Sequence, residues 1–96
     1  AITPMAATLA QAFHAHQAGH RSDAERLYRD VLAIEPRNHG ALHLLGALMH
    51  QSGRSEEAVS LIRQAIAIDP RNPDYHYNLG FTLNASGRMA EAIEPL

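Results

Sequence analysis

The 96-residue chain contains no cysteine, no tryptophan and no lysine, and aromatic residues make up only 5% of it. Without thiols, neither a disulfide framework nor a thiolate metal site can form. Because β-branched and aromatic side chains are sparse while alanine and leucine are abundant, the composition favours an all-α protein over a β-sandwich.

Charge and hydropathy exclude further classes of protein. The formal net charge is −2 at pH 7, which is too small to steer the chain toward nucleic acid or an anionic membrane surface. No apolar run approaches the ~18 residues of a membrane-spanning helix. No charged segment followed by an apolar one opens the chain, as in a signal peptide. We therefore expect no nucleic-acid partner, no membrane partner and a cytoplasmic location.

An internal repeat with an offset of 34 residues organises the sequence. The segments EPRN at 35–38 and DPRN at 69–72 are related by this offset, and so are the Leu-Gly pairs at 45–46 and 79–80. Glycine also recurs at Gly19, Gly53 and Gly87, and alanine at Ala24, Ala58 and Ala92. Matches at one offset indicate a repeat architecture. The predicted units are 5–38, 39–72 and a partial 73–96, within one domain that covers residues 1–96.

Each unit is predicted to contain two helices, A and B. The A helices are expected at 5–18, 39–52 and 73–86, and the B helices at 22–34, 56–68 and from residue 90 onward. The recurrent glycines end the A helices, because a left-handed residue there is easiest for glycine. Pro36 and Pro70 end the B helices, because proline disfavours helix at the preceding residue.

The residues at three of the predicted helix starts match known helix-capping patterns. Thr3–Pro4 and Asn72–Pro73 each place a capping side chain before a proline at the first helical position. Ser22 and Glu25 match a capping box that would open the first B helix.

Small residues predict where helices approach closely. Gly46 and Gly80 lie inside A helices, where glycine costs about 1 kcal/mol relative to alanine. Close contact with Ala58 and Ala92 on the following B helices would offset that cost, and Ala12 should meet Ala24 in the first unit. Larger apolar residues should fill the core between them: Leu42, Leu45, Met49, Leu61, Ile62, Ile66 and Ile68.

The chain resembles a tetratricopeptide repeat (TPR) array over residues 5–96. The second unit matches the family pattern best, with Leu42, Leu45–Gly46, Met49, Gly53, Ala58, Ile62, Ala65 and Pro70. The first unit supplies Tyr28 at an aromatic position of the pattern but departs from it at Thr8 and Gln11, as expected of a terminal unit. The resemblance implies an α-solenoid of antiparallel helix pairs, about two and a half units long with the last B helix truncated.

The resemblance also implies that the A helices line a concave groove that binds a peptide or a helix. By family register, the groove-facing residues are Leu9, Phe13, His16 and Gln17 in the first unit, His43, Leu44, His50 and Gln51 in the second, and Tyr77, Asn78, Phe81 and Asn84 in the third. The pairs His16–Gln17 and His50–Gln51 occupy equivalent positions of successive repeats, and each such position is here called a rung. We therefore expect the two pairs to stack as neighbouring rungs.

The predicted groove is almost uncharged but rich in imidazoles. Asp74 is the single Asp, Glu, Lys or Arg on the three predicted A helices, which carry six of the seven histidines. Histidine titrates near pH 6.5. Affinity for acidic peptides is therefore expected to rise on acidification.

Two peptide-binding modes known in the family fit the sequence unequally. A clamp for a terminal carboxylate would use the positions of Leu9, Phe13, Leu44, Asp74 and Asn78, of which only Asn78 is compatible, so we reject it. An asparagine ladder, as in O-linked N-acetylglucosamine transferases, matches at Asn78 but not at Ala10 or Leu44.

Metal binding and catalysis are not indicated. His39 and His43 are one helical turn apart, but zinc needs three or four converging ligands, and no HExxH motif, nucleophile elbow or phosphate loop occurs. We expect no metal, no cofactor and no catalytic residue.

The sequence therefore predicts a non-catalytic protein–protein interaction module. The alternative is the N-terminal substrate-recognition arm of a larger enzyme, such as a glycosyltransferase of bacterial type. In either case we expect the native chain to continue. An A helix without its B helix would leave an apolar face uncovered, which predicts self-association through the C-terminal end.

Overall fold

The computed structural model describes residues 3–87, which form five α-helices and no strand. The helices are α1 (Pro4–Gln17), α2 (Arg21–Ile34), α3 (His39–Gln51), α4 (Ser55–Ile68) and α5 (Pro73–Ala85). Each predicted boundary lies within one residue of these bounds. The predicted helix from residue 90 and the predicted contact of Gly80 with Ala92 lie outside the described residues.

Side-chain caps begin the three A helices, α1, α3 and α5. Thr3 Oγ1 accepts a hydrogen bond from the backbone N–H of Ala6 at 3.1 Å, as the sequence predicts. Asn38 caps α3 through Ala41 N–H at 3.0 Å, and Asn72 caps α5 through Asp74 N–H at 3.0 Å. These caps satisfy backbone donors that have no partner inside the helix.

The capping box predicted at Ser22 and Glu25 is wrong. Helix α2 begins at Arg21, its cap position is His20, and no side chain caps it. The preceding turn is so short that the helix starts before Ser22, which therefore lies within the first turn. Helix α4 begins in the same way after Arg54.

Glycine makes those short turns possible. The φ angles of Gly19, Gly53 and Gly87 are 83°, 80° and 78°, in the left-handed region that favours glycine. At the first turn, Gly19 N–H donates to His16 O at 3.1 Å and His20 N–H donates to Ala15 O at 2.9 Å. This pair of bonds is a Schellman motif, which ends α1 and starts α2 one residue later.

The helices pack as an all-α solenoid. Helix α1 packs along α2, and α3 along α4, while α2–α3 and α4–α5 contacts join consecutive pairs. The backbones of α1, α3 and α5 also approach one another in order, whereas those of α2 and α4 stay farther apart. The three A helices are thus closer together than the two described B helices. They form the inner face of the curve, here called the groove face.

The core lies between these layers. Ala12 and Ala24 are both fully buried in one cluster with Tyr28, Leu45 and Met49. A second cluster joins α4 to α5 through four buried residues, Val59, Ile62, Leu79 and Leu83. The predicted core residues on α3 and α4 are buried, except Ile66 and Ile68, which are half-buried against the clusters.

Gly46 sets the separation of α3 and α4. A Cβ atom added to Gly46 would lie 2.7 Å from Ile62 Cγ1 and 3.2 Å from the carbonyl oxygen of Ala58. Atoms in folded proteins do not approach so closely without displacement of the helix or the side chain. The predicted close contact with Ala58 is therefore confirmed, and Ile62 completes it.

An ionic network ties the first two helix pairs together at the B-helix side. Arg29 bridges Glu25 at 2.9 Å and Glu57 at 2.6 Å, while Arg54 bridges Glu57 at 2.6 Å and Glu25 at 3.2 Å. The hydrogen bond from Arg29 holds the pKa of Glu57 below its ordinary 4.5. Since these side chains are partly exposed, solvent screening limits the contribution of each pair to stability.

Replacing Gly46 with alanine should lower the free energy of unfolding by about 1–3 kcal/mol, because the added methyl group overpacks the α3–α4 contact. Urea denaturation measures the change. Gly40→Ala is the matched control on the same helix, since its Cβ would meet its nearest atom, Asn38 Oδ1, at an ordinary 3.5 Å. A Gly46→Ala variant as stable as the Gly40→Ala variant would contradict the close-contact interpretation.

Arg29→Met should reduce stability by about 0.5–1 kcal/mol at pH 7, and the difference should shrink as the pH falls below 4.5. The lowered pKa of Glu57 stabilises the fold above that pH, and protonation removes the benefit. Arg26→Met is the control, because the Arg26–Asp30 pair is 3.8 Å long and well exposed. Equal losses for both variants across the pH range would argue against the network.

Candidate functional site

Two adjoining cavities lie on the groove face. The His16 cavity has a volume of about 400 Å³ and is lined by Phe13, His16, Gln17, His43, Leu44, Ala47, Gln51 and Asn78. The His50 cavity has a volume of about 520 Å³ and is lined by Ala47, His50, Gln51, Asn78, Phe81 and Thr82. Because Ala47, Gln51 and Asn78 line both, the cavities form one continuous depression across α1, α3 and α5.

Three of the predicted groove residues line neither cavity. Leu9 is half-buried, and the buried part of its side chain packs against the core. Tyr77 is 71% exposed and stacks on Phe81 at the edge of the His50 cavity, with 6.4 Å between ring centroids. Asn84 is exposed one turn beyond Phe81. Sequence reasoning omitted Thr82, although it follows Asn78 by one helical turn.

Hydrogen bonds cross the groove between successive A helices. His16 Nε2 lies 2.6 Å from Gln51 Oε1, and His43 Nε2 contacts Asn78 Nδ2. Both pairs are 35 residues apart, one more than the repeat period. The pairs His16–Gln17 and His50–Gln51 are thus in contact as neighbouring rungs, through a staggered pairing in which Gln51 reaches back to His16.

Tyr28 supports His16 from beneath. Its hydroxyl lies 3.0 Å from His16 Nδ1, and the two rings meet edge to face at 5.9 Å. Burial raises the pKa of Tyr28 to about 12, so its hydroxyl stays protonated and can donate to Nδ1. In the neutral imidazole, Nε2–H is then free to donate to Gln51. The sequence pattern places an aromatic residue at Tyr28 but does not predict this contact with the groove.

The half-buried His43 packs against Tyr75. The His43 and Tyr75 ring centroids are 4.5 Å apart, and the Tyr75 hydroxyl lies 2.7 Å from His39 Nδ1. Burial lowers the pKa of His43 below its ordinary 6.5, although the charge of Asp74 acts in the opposite direction. Acidification therefore charges His43 less readily than an exposed histidine, which weakens the expectation of a cationic groove at this position.

His50 differs from the other groove imidazoles. Its Nδ1 atom is buried without a hydrogen-bond partner among the described residues, and its ring lies edge-on to Phe81 at 5.4 Å. The groove aromatics Phe13 and Phe81 are 40% and 52% exposed. An unsatisfied imidazole thus lies beside exposed aromatic surface in the larger cavity.

Neither a metal cluster nor a membrane span occurs within residues 3–87. In this part of the chain, no three His, Asp or Glu side chains converge so that they could hold a metal ion. None of its helices is long and apolar enough to cross a bilayer.

Comparison with known proteins gives a family and a fold. The family profile described as Tetratricopeptide repeat matches residues 15–77 and 50–96. A comparison with curated proteins found no match. Among solved structures, a mutant of the Thermobaculum terrenum O-GlcNAc transferase is 43% identical, with a TM-score of 0.86 over 95% of this chain. This chain spans only 18% of that protein's length.

Two more distant structures share the fold. A MamA mutant is 22% identical, with a TM-score of 0.83 over 93% of this chain and 65% of its own. The Yersinia enterocolitica type III secretion chaperone SycD, in complex with a peptide of the translocator YopD, is 21% identical. Its TM-score is 0.83 over 88% of this chain and 65% of its own. At these identities the likeness shows the fold alone.

His43 should titrate with a midpoint below pH 6.5, as measured by NMR of its imidazole signals. Because the folded state binds the proton less well than the unfolded state, protonation of His43 should reduce stability as the pH falls below 6.5. Asp74→Asn should lower the midpoint further, since the Asp74 carboxylate favours the charged imidazole. Asp30→Asn, on the distant helix α2, is the control. A midpoint at or above 6.5 would refute the burial argument.

Proposed function

The chain belongs to the tetratricopeptide repeat family, and on that premise we propose that its groove face binds an extended peptide. Repeats of this family generally serve as non-catalytic interaction modules, and we assign this chain the same role, without cofactor or metal. The peptide would lie across α1, α3 and α5 and occupy both cavities. The proposed contact residues are Leu9, Phe13, His16, Gln17, His43, Leu44, His50, Gln51, Tyr77, Asn78, Phe81 and Asn84.

The observation that carries this proposal is the line of exposed aromatic rings on one face. Phe13, Tyr77 and Phe81 are 40%, 71% and 52% exposed, and all three come from A helices. Exposed aromatic surface beside a polar-lined depression is typical of protein interaction sites. Aromatic side chains also supply large contact areas at a low cost in conformational entropy.

The polar groups of the groove indicate what kind of peptide fits. Imidazoles and side-chain amides line both cavities, and such groups bind backbone carbonyl and N–H groups as well as side chains. The groove-face helices carry no Arg or Lys, and Asp74 is their only acidic residue. Recognition would therefore depend on apolar contact and neutral hydrogen bonds rather than on ion pairs at neutral pH.

The SycD complex supports a peptide as the kind of ligand, since a protein of this fold holds a peptide of YopD. A cytoplasmic location remains part of the proposal, because it rests only on the sequence.

A second candidate is the substrate-recognition arm of a larger enzyme. The 43% identity to the Thermobaculum terrenum O-GlcNAc transferase over 95% of this chain favours it. Asn78 is the one groove residue that matches a position of the asparagine ladder known in such arms. A full-length reading frame that encodes a downstream glycosyltransferase domain would select the arm, and further repeats without such a domain would select the free module.

Peptides selected from a random phage-displayed library against the chain should lose about tenfold or more in affinity with Phe81→Ala, as expected for a central aromatic contact. Isothermal titration calorimetry measures the affinity. Ile34→Ala is the matched control, because Ile34 is 67% exposed but lies at the end of α2, away from the groove face. Binding that survives Phe81→Ala and fails with Ile34→Ala would place the peptide elsewhere.

A further inference from the structure

The two imidazoles at equivalent positions of the groove, His16 and His50, differ in their hydrogen-bond partners. His16 uses both ring nitrogens within the protein, with Tyr28 at Nδ1 and Gln51 at Nε2. His50 makes no side-chain hydrogen bond with the described residues, and its Nδ1 is buried without a partner.

The repeat offset explains the difference. Thirty-four residues after Tyr28 stands Ile62, which has no hydroxyl group, and 34 residues after Gln51 stands Ala85, which has no amide. Each partner of His16 is therefore replaced at the next rung by a side chain that cannot form a hydrogen bond. Ile62 is also fully buried and forms the close contact with Gly46.

The burial of Nδ1 determines which nitrogen of His50 carries the proton. A neutral imidazole has one N–H and one lone pair. An N–H at Nδ1 would lose a full hydrogen bond, because no acceptor among the described residues is near it. Protonation at Nε2 instead leaves a lone pair at the buried Nδ1 and puts the N–H at the far end of a ring that lines the His50 cavity. His16 has the same arrangement, with Nε2–H directed at Gln51 Oε1.

We propose that His50 Nε2–H donates a hydrogen bond to a carbonyl oxygen of the bound peptide, whereas both ring nitrogens of His16 are already bonded to Tyr28 and Gln51 and are closed to ligand hydrogen bonds. This inference rests on the proposed function and names the chemistry of its central contact. A peptide carbonyl on His50 would place the neighbouring side chain against Phe81, which lines the same cavity. The His50 rung therefore fixes the register of the peptide in the groove.

A neutral carbonyl fits this position better than a carboxylate. No Arg or Lys lies on the groove-face helices, and Asp74 adds a negative charge near His43. At neutral pH, a carboxylate would lose hydration without gaining an ion pair. A peptide carbonyl loses less hydration and gains one hydrogen bond from a donor that has no partner among the described residues.

The test uses the full chain with ¹⁵N-labelled histidine and N-methylacetamide, a small molecule with one peptide-type carbonyl. Titration followed by NMR should shift the imidazole nitrogens of His50 and leave those of His16 in place. The nitrogen shifts before titration should show the Nε2–H tautomer at His50. A response at His16 equal to that at His50, or no response at His50, would overturn the proposal.

Two reciprocal variants sharpen the test. Ala85→Gln supplies the acceptor that Gln51 supplies to His16, so it should reduce the response of His50 at least threefold. It should also weaken the binding of selected groove peptides roughly three- to tenfold, the value of one hydrogen bond. Gln51→Ala should make His16 responsive. An Ala85→Gln variant that changes neither the His50 response nor peptide affinity would contradict the proposal.

Controls match each variant in the side chain that is changed. Ala67→Gln adds the same amide at an exposed position of α4, away from the groove face, and should leave the response of His50 unchanged. Gln64 is an exposed glutamine of α4 whose side chain bonds Ser60 instead of a histidine, so Gln64→Ala should leave His16 closed. Helicity measurements verify the fold of every variant.

The two proposals fail separately. Peptides that lose affinity with Phe81→Ala but not with Ala85→Gln would keep the groove and refute the role of His50. Peptides whose affinity is unchanged by Phe81→Ala would refute binding in the groove. The response to N-methylacetamide would still decide whether His50 Nε2–H is available as a hydrogen-bond donor.

Discussion

The close approach of α3 and α4 at Gly46 governs the geometry of the groove. With no side chain at this position, the backbone of α3 packs against Ile62 and the carbonyl of Ala58. That contact fixes α3, and α3 is the helix that lies between α1 and α5 on the groove face. The positions of His43 and His50 therefore depend on a glycine that lies one helical turn from each of them on the same helix.

Much of the hydrogen-bonding capacity of the groove is used within the protein. Gln51 pairs with His16, and Asn78 with His43, each across a separation of 35 residues. Such pairs hold neighbouring A helices in register and reduce the number of groups that a ligand can bind. Exchange of only two side chains, Tyr28 for Ile62 and Gln51 for Ala85, turns a satisfied imidazole at one rung into an unsatisfied one at the next.

The helices could be predicted from sequence to within one residue, because glycines in left-handed turns, prolines and capping side chains act locally. For the groove, the sequence could predict which face of the helices forms it, but not which contacts each side chain makes there. The side chain of Leu9 packs against the core, and the staggered pairing of His16 with Gln51 was missed. The capping box at Ser22 failed for a related reason: the motif describes one helix start, but the turn at Gly19 already starts α2 at Arg21.

The repeat, its helices and the face that they share follow from the sequence alone, since each depends on the identity of a residue and its near neighbours. Which polar groups remain free follows instead from tertiary packing. Hydrogen bonding between rungs depends on how far one helix is displaced along the next, and the burial of His43 depends on Tyr75 from another helix. These distances arise from the packing of helices, which no spacing along the chain specifies.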